Sequence, residues 1–211
     1  MKLIIIGGGD NAGSVIDLID NSNEDIHITG ISDQQKHQGN VINGYSVNFT
    51  DSEVVEYLND NSIIVSYARD MKIRKKLYDY FNKHDAKFAT LISSYVYISN
   101  TSQIGQGSII MPGVVIRNQA NIGINTLVNS GATIEHGCKL GNHCHIGPGA
   151  VLTGNVIVED ECFIGANSTI LPNVKITKGS TIGAGSVVTK SILENGVWYG
   201  NPVRKHTKSG M

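Results

Sequence analysis

Three histidines, His136, His143 and His145, fall within ten residues, with Cys138 and Cys144 between them and Cys162 further on. Imidazoles at this spacing can take protons as general bases, or can converge across an interface to hold zinc with an open water position. The thiols raise a second chemistry, acyl transfer through a covalent cysteine intermediate. Near the start of the chain, Gly7-Gly8-Gly9-Asp10-Asn11-Ala12-Gly13 follows the aliphatic run Leu3 to Ile6. Backbone N–H groups in a glycine-rich loop that opens a helix suit a phosphate or a nucleotide lying close to backbone. The spacing of Gly7, Gly9 and Gly13 is not GxGxxG, and a tight turn that only joins strand to helix remains the alternative. Asp33 stands where it can accept hydrogen bonds from a ribose or base, with a solvated turn aspartate as its alternative.

Which of these groups can act depends on which face outward, and an internal period decides that. From Ile92 an aliphatic residue recurs every six positions, through Ile98, Ile104 and Ile110 to Ile176, Ile182 and Val188. Four residues after each of the first sixteen stands a small or β-branched side chain, from Val96 and Ser102 to Ser180 and Ser186. A period of six fits neither an α-helix nor a simple alternation. It suits a short strand followed by a bend, stacked on an identical neighbour. Each hexad is one side of a three-sided coil, and about five coils stack. The aliphatic residue and the residue four places on both face a narrow interior, where added volume costs roughly 1–3 kcal/mol. All three cysteines occupy the second inward position and read as packing residues. His136 stands two places after Ile134, near a corner, free to project outward. Glycines directly after the aliphatic residue, such as Gly105, Gly123, Gly141, Gly147, Gly165 and Gly183, are expected to relieve backbone strain at the corners.

Residues 1–91 show no such period. Strands are expected at Lys2–Ile6, Ile26–Ile31, Ile63–Tyr67 and Lys87–Ile92. Val15, Leu18 and Ile19 share one helical face after the glycine loop; Val54, Val55 and Leu58 suggest a short helix. Ile73, Leu77, Tyr80 and Phe81 suggest a longer one opening near Asp70. This is a small Rossmann-like α/β unit, too short for a complete dinucleotide fold.

Seventeen basic residues against eighteen acidic give a formal net charge of -1, so nothing favours nucleic acid or an anionic membrane as partner. No apolar run approaches the roughly 20 residues of a membrane span, and no signal-peptide pattern opens the chain. A cytoplasmic protein is expected. Three cysteines, an odd number, do not suggest a disulfide framework.

An α/β unit followed by uninterrupted hexads resembles the hexapeptide-repeat sugar acyltransferases of the bacillosamine and perosamine N-acetyltransferase and sialic acid O-acetyltransferase type, over essentially the whole chain. The resemblance implies an α/β Rossmann-like nucleotide-sugar-binding domain over 1–91, followed by an all-β left-handed parallel β-helix over 92–211 with a C-terminal tail. It implies a homotrimer, with acetyl-CoA as cosubstrate in a groove between two β-helices and no metal. The acceptor would be a nucleotide-linked amino sugar, acetylated at its 4-amino group.

Ile134-Glu135-His136-Gly137-Cys138 resembles the family segment that carries the catalytic histidine, which makes His136 the general base. The family commonly places Asp or Glu directly after this histidine, where the chain has Gly137. His145 matches a second family histidine near the thioester of acetyl-CoA. Gly154, Ala166 and Ala184 match positions whose backbone lines the pantetheine groove. Gly196 to Arg204 resembles the tail that borders the coenzyme A site, and Arg204 or Lys190 would contact its phosphates. Gly7, Gly9, Asp10, Asn11 and Arg74 fall to the acceptor side by the same likeness, beside Asp33, which its own position suggests. Here the chain departs from the family, with Asn11 in place of His, Asp10 in place of Gly, and Ser66-Tyr67-Ala68-Arg69-Asp70 in place of a Gly-Asn sequence. A carboxylate at Asp10 would repel a nearby phosphate.

Other readings use the same residues. O-acetylation of sialic acid or another sugar needs only the same deprotonation by His136. A zinc lyase of the gamma carbonic anhydrase type would need His136, His143 and His145 to converge across a trimer interface. A non-catalytic binding module would follow if Gly137 leaves His136 unoriented.

Overall fold

In the computed structural model, residues 1–34 and 37–206 are described. The aliphatic run forms strand β1 (Lys2–Ile6), with four of its five residues buried. The glycine loop leads into helix α1 (Asp10–Asp20), which buries Ala12, Val15, Ile16, Leu18 and Ile19. Strand β2 (His27–Ser32) pairs parallel with β1, and β5 (Ser62–Val65) flanks β1 on the other side. Between them lies a hairpin, β3 (Val41–Ile42) and β4 (Tyr45–Phe49), that extends the sheet. No strand is expected there from the sequence, although Asn43-Gly44 marks the turn, with φ of 45° and 86°. Short helix α2 is Asp51–Val54, and α3 runs Met71–Asn82. Asp70 caps α3 by accepting from the Lys72 N–H, as the expected opening near Asp70 requires.

The expected strand Lys87–Ile92 divides in two. β6 (Lys87–Phe88) closes the first sheet, whose order is β3-β4-β2-β1-β5-β6. Leu91–Ile92 instead starts a second architecture, in which seventeen two-residue strands, β7 to β23, follow at intervals of six residues among the described residues. They stack into three parallel sheets, so each strand pairs with those eighteen residues away, as Val115 does with Tyr97 and Thr133. The result is a three-sided parallel β-helix. Its interior holds the aliphatic series together with Cys138, Cys144 and Cys162, all fully buried. Burial raises the Cys138 thiol to about 11 and Cys162 to about 12, and drives Cys144 higher still, which leaves them protonated and unreactive.

The corner chemistry differs from expectation. Left-handed backbone falls three places after the aliphatic residue, from Gly107 (φ 72°) and Gly113 (φ 75°) through Asn125, Gly137 and His143 to Gly185. The glycines directly after the aliphatic residue serve close approach instead. A Cβ on Gly147 would lie 2.7 Å from both Ala166 N and Ile164 O of the next coil. Glycine there sets how closely the coils stack.

The three faces of the β-helix carry different residues. On the first, Leu91, Ile109 and Leu127 are buried, packed into the same cluster as Leu3, Ile5 and Ile64 of the α/β unit. The second presents Tyr97, Val115, Thr133, Val151, Thr169 and Val187, all uncharged. The third presents Gln103, Asn121, Lys139, Ile157 and Lys175. The chain ends in an antiparallel pair, β24 (Val197–Gly200) and β25 (Val203–Lys205), added to the first face.

Candidate active site

A cavity of about 420 Å³ opens where the C-terminal ends of β1 and β5 meet the β-helix, lined by Gly7, Gly9, Asp10, Asn11 and Ser14 on one wall. Ser66, Tyr67, Ala68 and Arg69 form the opposite wall. Four of the expected acceptor-side residues therefore come together. Gly7 is held at φ 102°, a conformation that selects glycine. The loop spends several of its N–H groups internally: Gly7 donates to the Ser32 carbonyl (2.9 Å), Gly8 to the Asp33 carboxylate (2.7 Å) and Ala12 to the Gly9 carbonyl (2.8 Å). Asn11 donates across the cavity to the Ser66 carbonyl at 2.6 Å.

Asp33 also accepts from the Gln34 N–H at 2.6 Å and faces His37 at 3.2 Å. It lines a neighbouring cavity of about 520 Å³ with Asp51, Lys76 and Tyr80. Burial raises the Asp51 carboxyl, which accepts from the Ser32 hydroxyl at 2.8 Å.

Arg74 does not reach either cavity. Its side chain is fully buried. Its guanidinium donates to the carbonyls of Asn125 (2.7 Å), Val65 (2.8 Å) and Tyr67 (2.9 Å). The expected acceptor contact is thus replaced by a link between the two halves of the chain. Burial without a carboxylate partner lowers its pKa to about 9.

His145 likewise departs from the cofactor role expected of it. It is only 7% exposed on the first face of the β-helix. Its Nδ1 lies 2.9 Å from the Ala68 carbonyl, which fixes that nitrogen as the N–H donor, and Nε2 lies 3.3 Å from the Asn129 carboxamide. Burial lowers its pKa to about 4, so the ring is neutral. His143 is buried as well, with Nδ1 2.9 Å from Asn125 Nδ2 and its ring edge-on to Tyr78. With two of the three imidazoles committed to the protein and His136 on another corner, the zinc-lyase arrangement has no geometric support.

His136 is exposed at the corner between the second and third faces. Its ring lies over Gly154, one coil on. A Cβ at Gly154 would sit 2.6 Å from His136 Cε1 and 2.7 Å from Nε2. The absence of a side chain at Gly154, a position expected to line the pantetheine groove, makes room for the imidazole. Gly137 has φ 68°, and a Cβ there would lie 2.2 Å from Asn155 Oδ1. Ala166 and Ala184 stand at the corner between the first and second faces, away from His136 within one chain. Lys190 is exposed. Arg204 lines a separate cavity of about 530 Å³ at the tail, with Tyr199, Asn201 and His206. The wall residues Tyr67, Ala68 and Arg69 were missed as site residues; their position directly after a strand and before the Asp70 cap was the available signal.

Hexad periodicity and a three-sided parallel β-helix are features this chain shares with proteins already characterised. The family profile for the bacterial transferase hexapeptide (six repeats) matches residues 119–154 and 155–190. Among solved structures, PerB from Caulobacter crescentus in complex with CoA and GDP-perosamine is 28% identical, with a TM-score of 0.90 over 98% of each chain. The acetyltransferase domain of PglB from Neisseria gonorrhoeae is 29% identical, with a TM-score of 0.88 over 97% of this chain and 99% of that one. WeeI from Acinetobacter baumannii is 25% identical, with a TM-score of 0.87 over 98% and 100%. No curated protein matches the chain. Among the described residues no helix is long and apolar enough to cross a membrane.

Proposed function

We propose that this protein transfers the acetyl group of acetyl-CoA to the 4-amino group of a nucleotide-linked amino sugar, with His136 as general base, in the cytoplasm. The observation that carries this reading is the likeness to PerB, which extends over 98% of both chains and so takes in the α/β unit as well as the β-helix. PerB holds CoA and GDP-perosamine together. In this reading residues 1–91 are a Rossmann-like domain for the nucleotide and residues 92–211 a left-handed β-helix for the transfer.

The chemistry is direct. The sugar amine attacks the thioester carbonyl while His136 takes the amine proton; the new C–N bond forms, the C–S bond breaks, and the thiolate of CoA leaves to be protonated. With glycine at position 137, packing of the imidazole against Gly154 does the orienting that a neighbouring carboxylate would do. Buried, protonated cysteines give no support to an acyl-enzyme route.

A homotrimer fits the distribution of residues over the faces. The uncharged second face has Ala166 and Ala184 along one edge and His136 with Gly154 along the other. A groove that brings both edges to one acetyl-CoA needs two copies of the chain, packed beside their second faces. Lys190 and Arg204 supply positive charge for the phosphates of CoA near the end of the β-helix.

The test is thiol release from acetyl-CoA against a panel of nucleotide-linked 4-amino sugars. His136→Ala is expected to lower kcat by roughly 10²–10⁴ without lowering the melting temperature, since the side chain is exposed. Acceleration by sialic acid and by no amino sugar would replace this reading with O-acetylation.

A further inference from the structure

The two walls of the cavity beside the glycine loop differ in charge, with Asp10 on one and Arg69 on the other. On the glycine side the N–H groups of Gly7, Gly8 and Ala12 are already spent while those of Gly9, Asp10 and Asn11 donate to no other group among the described residues, and Asp10 adds a carboxylate in the first turn of α1. On the other side the carbonyls are spent. Val65 and Tyr67 are held by Arg74, Ser66 by Asn11, and Ala68 by His145, each at 2.6–2.9 Å.

The peptides after Tyr67 and Ala68 are trans, so each N–H points opposite to its carbonyl. With those carbonyls turned to Arg74 and His145, the N–H groups of Ala68 and Arg69 turn away from the protein interior. Neither donates to another group among the described residues. Tyr67, Ala68 and Arg69 all line the cavity, and the exposed Arg69 adds a guanidinium at its rim.

We propose that the acceptor's diphosphate binds this Tyr67–Arg69 wall, through the Ala68 and Arg69 N–H groups and the Arg69 side chain, and not the glycine loop. His145 and Arg74 are positioning residues that hold the wall in register. Because His145 belongs to the β-helix, the transfer half of the molecule thereby fixes the binding wall of the other half. Two backbone donors and a guanidinium suit a phosphate, whereas Asp10 repels one. The inference rests on a nucleotide-linked acceptor, as proposed above.

The experiment is titration of the full-length protein with UDP, GDP and dTDP, and with the matching uncharged nucleosides, by calorimetry. Arg69→Met is expected to weaken the diphosphate that binds by about tenfold while leaving its nucleoside unchanged. His145→Phe keeps the packing against Phe163 but cannot donate to the Ala68 carbonyl, and is expected to weaken the same diphosphate by about tenfold. His145→Gln, whose amide can donate, is expected to restore it. In turnover these variants raise the acceptor KM with little change in kcat or in the acetyl-CoA KM. Unchanged diphosphate affinity in Arg69→Met, or a loss of acetyl-CoA affinity in His145→Phe that glutamine does not rescue, overturns the proposal. If the wild type binds none of the three diphosphates, the nucleotide reading itself fails, and that outcome is read before any variant is made.

Discussion

Each strand of the β-helix pairs with its counterparts eighteen residues away, as Ile109 does with Leu91 and Leu127, so its neighbours come from adjacent coils of the same design. In the α/β unit the central strand β1 pairs with β2 and β5, reached across a helix on one side and most of the unit on the other. The first region repeats one solution, and loss at one coil is shared with its neighbours. The second is assembled once, and three buried polar side chains, Arg74, Asn125 and His145, tie it to the β-helix. The α/β unit is therefore the half whose stability depends most on single residues.

Arg74→Met probes that contrast most strongly. It leaves the carbonyls of Val65, Tyr67 and Asn125 without a donor, and is expected to cost about 4 kcal/mol, read as an early melting transition confined to the α/β unit. A single transition shifted as a whole would show the two halves to be one cooperative unit.

Acid separates the halves next. His145 has its pKa lowered to about 4 in the folded chain, against 6.5 for the free side chain. Above pH 6.5 both folded and unfolded forms are neutral. As pH falls from 6.5 toward 4 the unfolded chain takes up a proton that the folded chain refuses, so stability is lost, by up to about 3 kcal/mol. His143 is shifted in the same direction by burial and adds to the trend. Denaturation midpoints measured from pH 7 to pH 4 are expected to fall less steeply in His145→Gln than in the wild type.

Within the β-helix the glycines should divide by position. Gly147→Ala places a Cβ against backbone of the next coil and is expected to cost about 2–3 kcal/mol. Gly185→Ala meets nothing within 4 Å and costs only the strain of φ 66°, about 1 kcal/mol. Equal losses at the two sites, by chemical denaturation, would mean that coil spacing is not set by the glycine after the aliphatic residue.

Much of this was readable in the chain. The six-residue period assigned inward and outward positions, which demoted three cysteines to packing and left His136 exposed. The strands and helices flanking the glycine loop were readable from aliphatic runs and helical faces. The hairpin at Val41–Phe49 was not, because its strands are short and mostly exposed or half-buried, and only Asn43-Gly44 signalled it. Roles drawn from resemblance fared less evenly. Arg74 fits the resemblance in sequence, yet its charge is spent on three backbone carbonyls. His145 does so too, with its ring turned to Ala68 and away from solvent.

What the sequence by itself determined is the β-helix, since a local period repeated seventeen times needs no distant contact to be interpreted. Only tertiary structure decided which polar groups remain free to meet a ligand. A side chain's hydrogen-bonding capacity is finite, and whether Asn11, Asp33, Arg74 and His145 spend it on substrate or on the protein depends on backbone atoms brought near them by folding, up to 77 residues away along the chain.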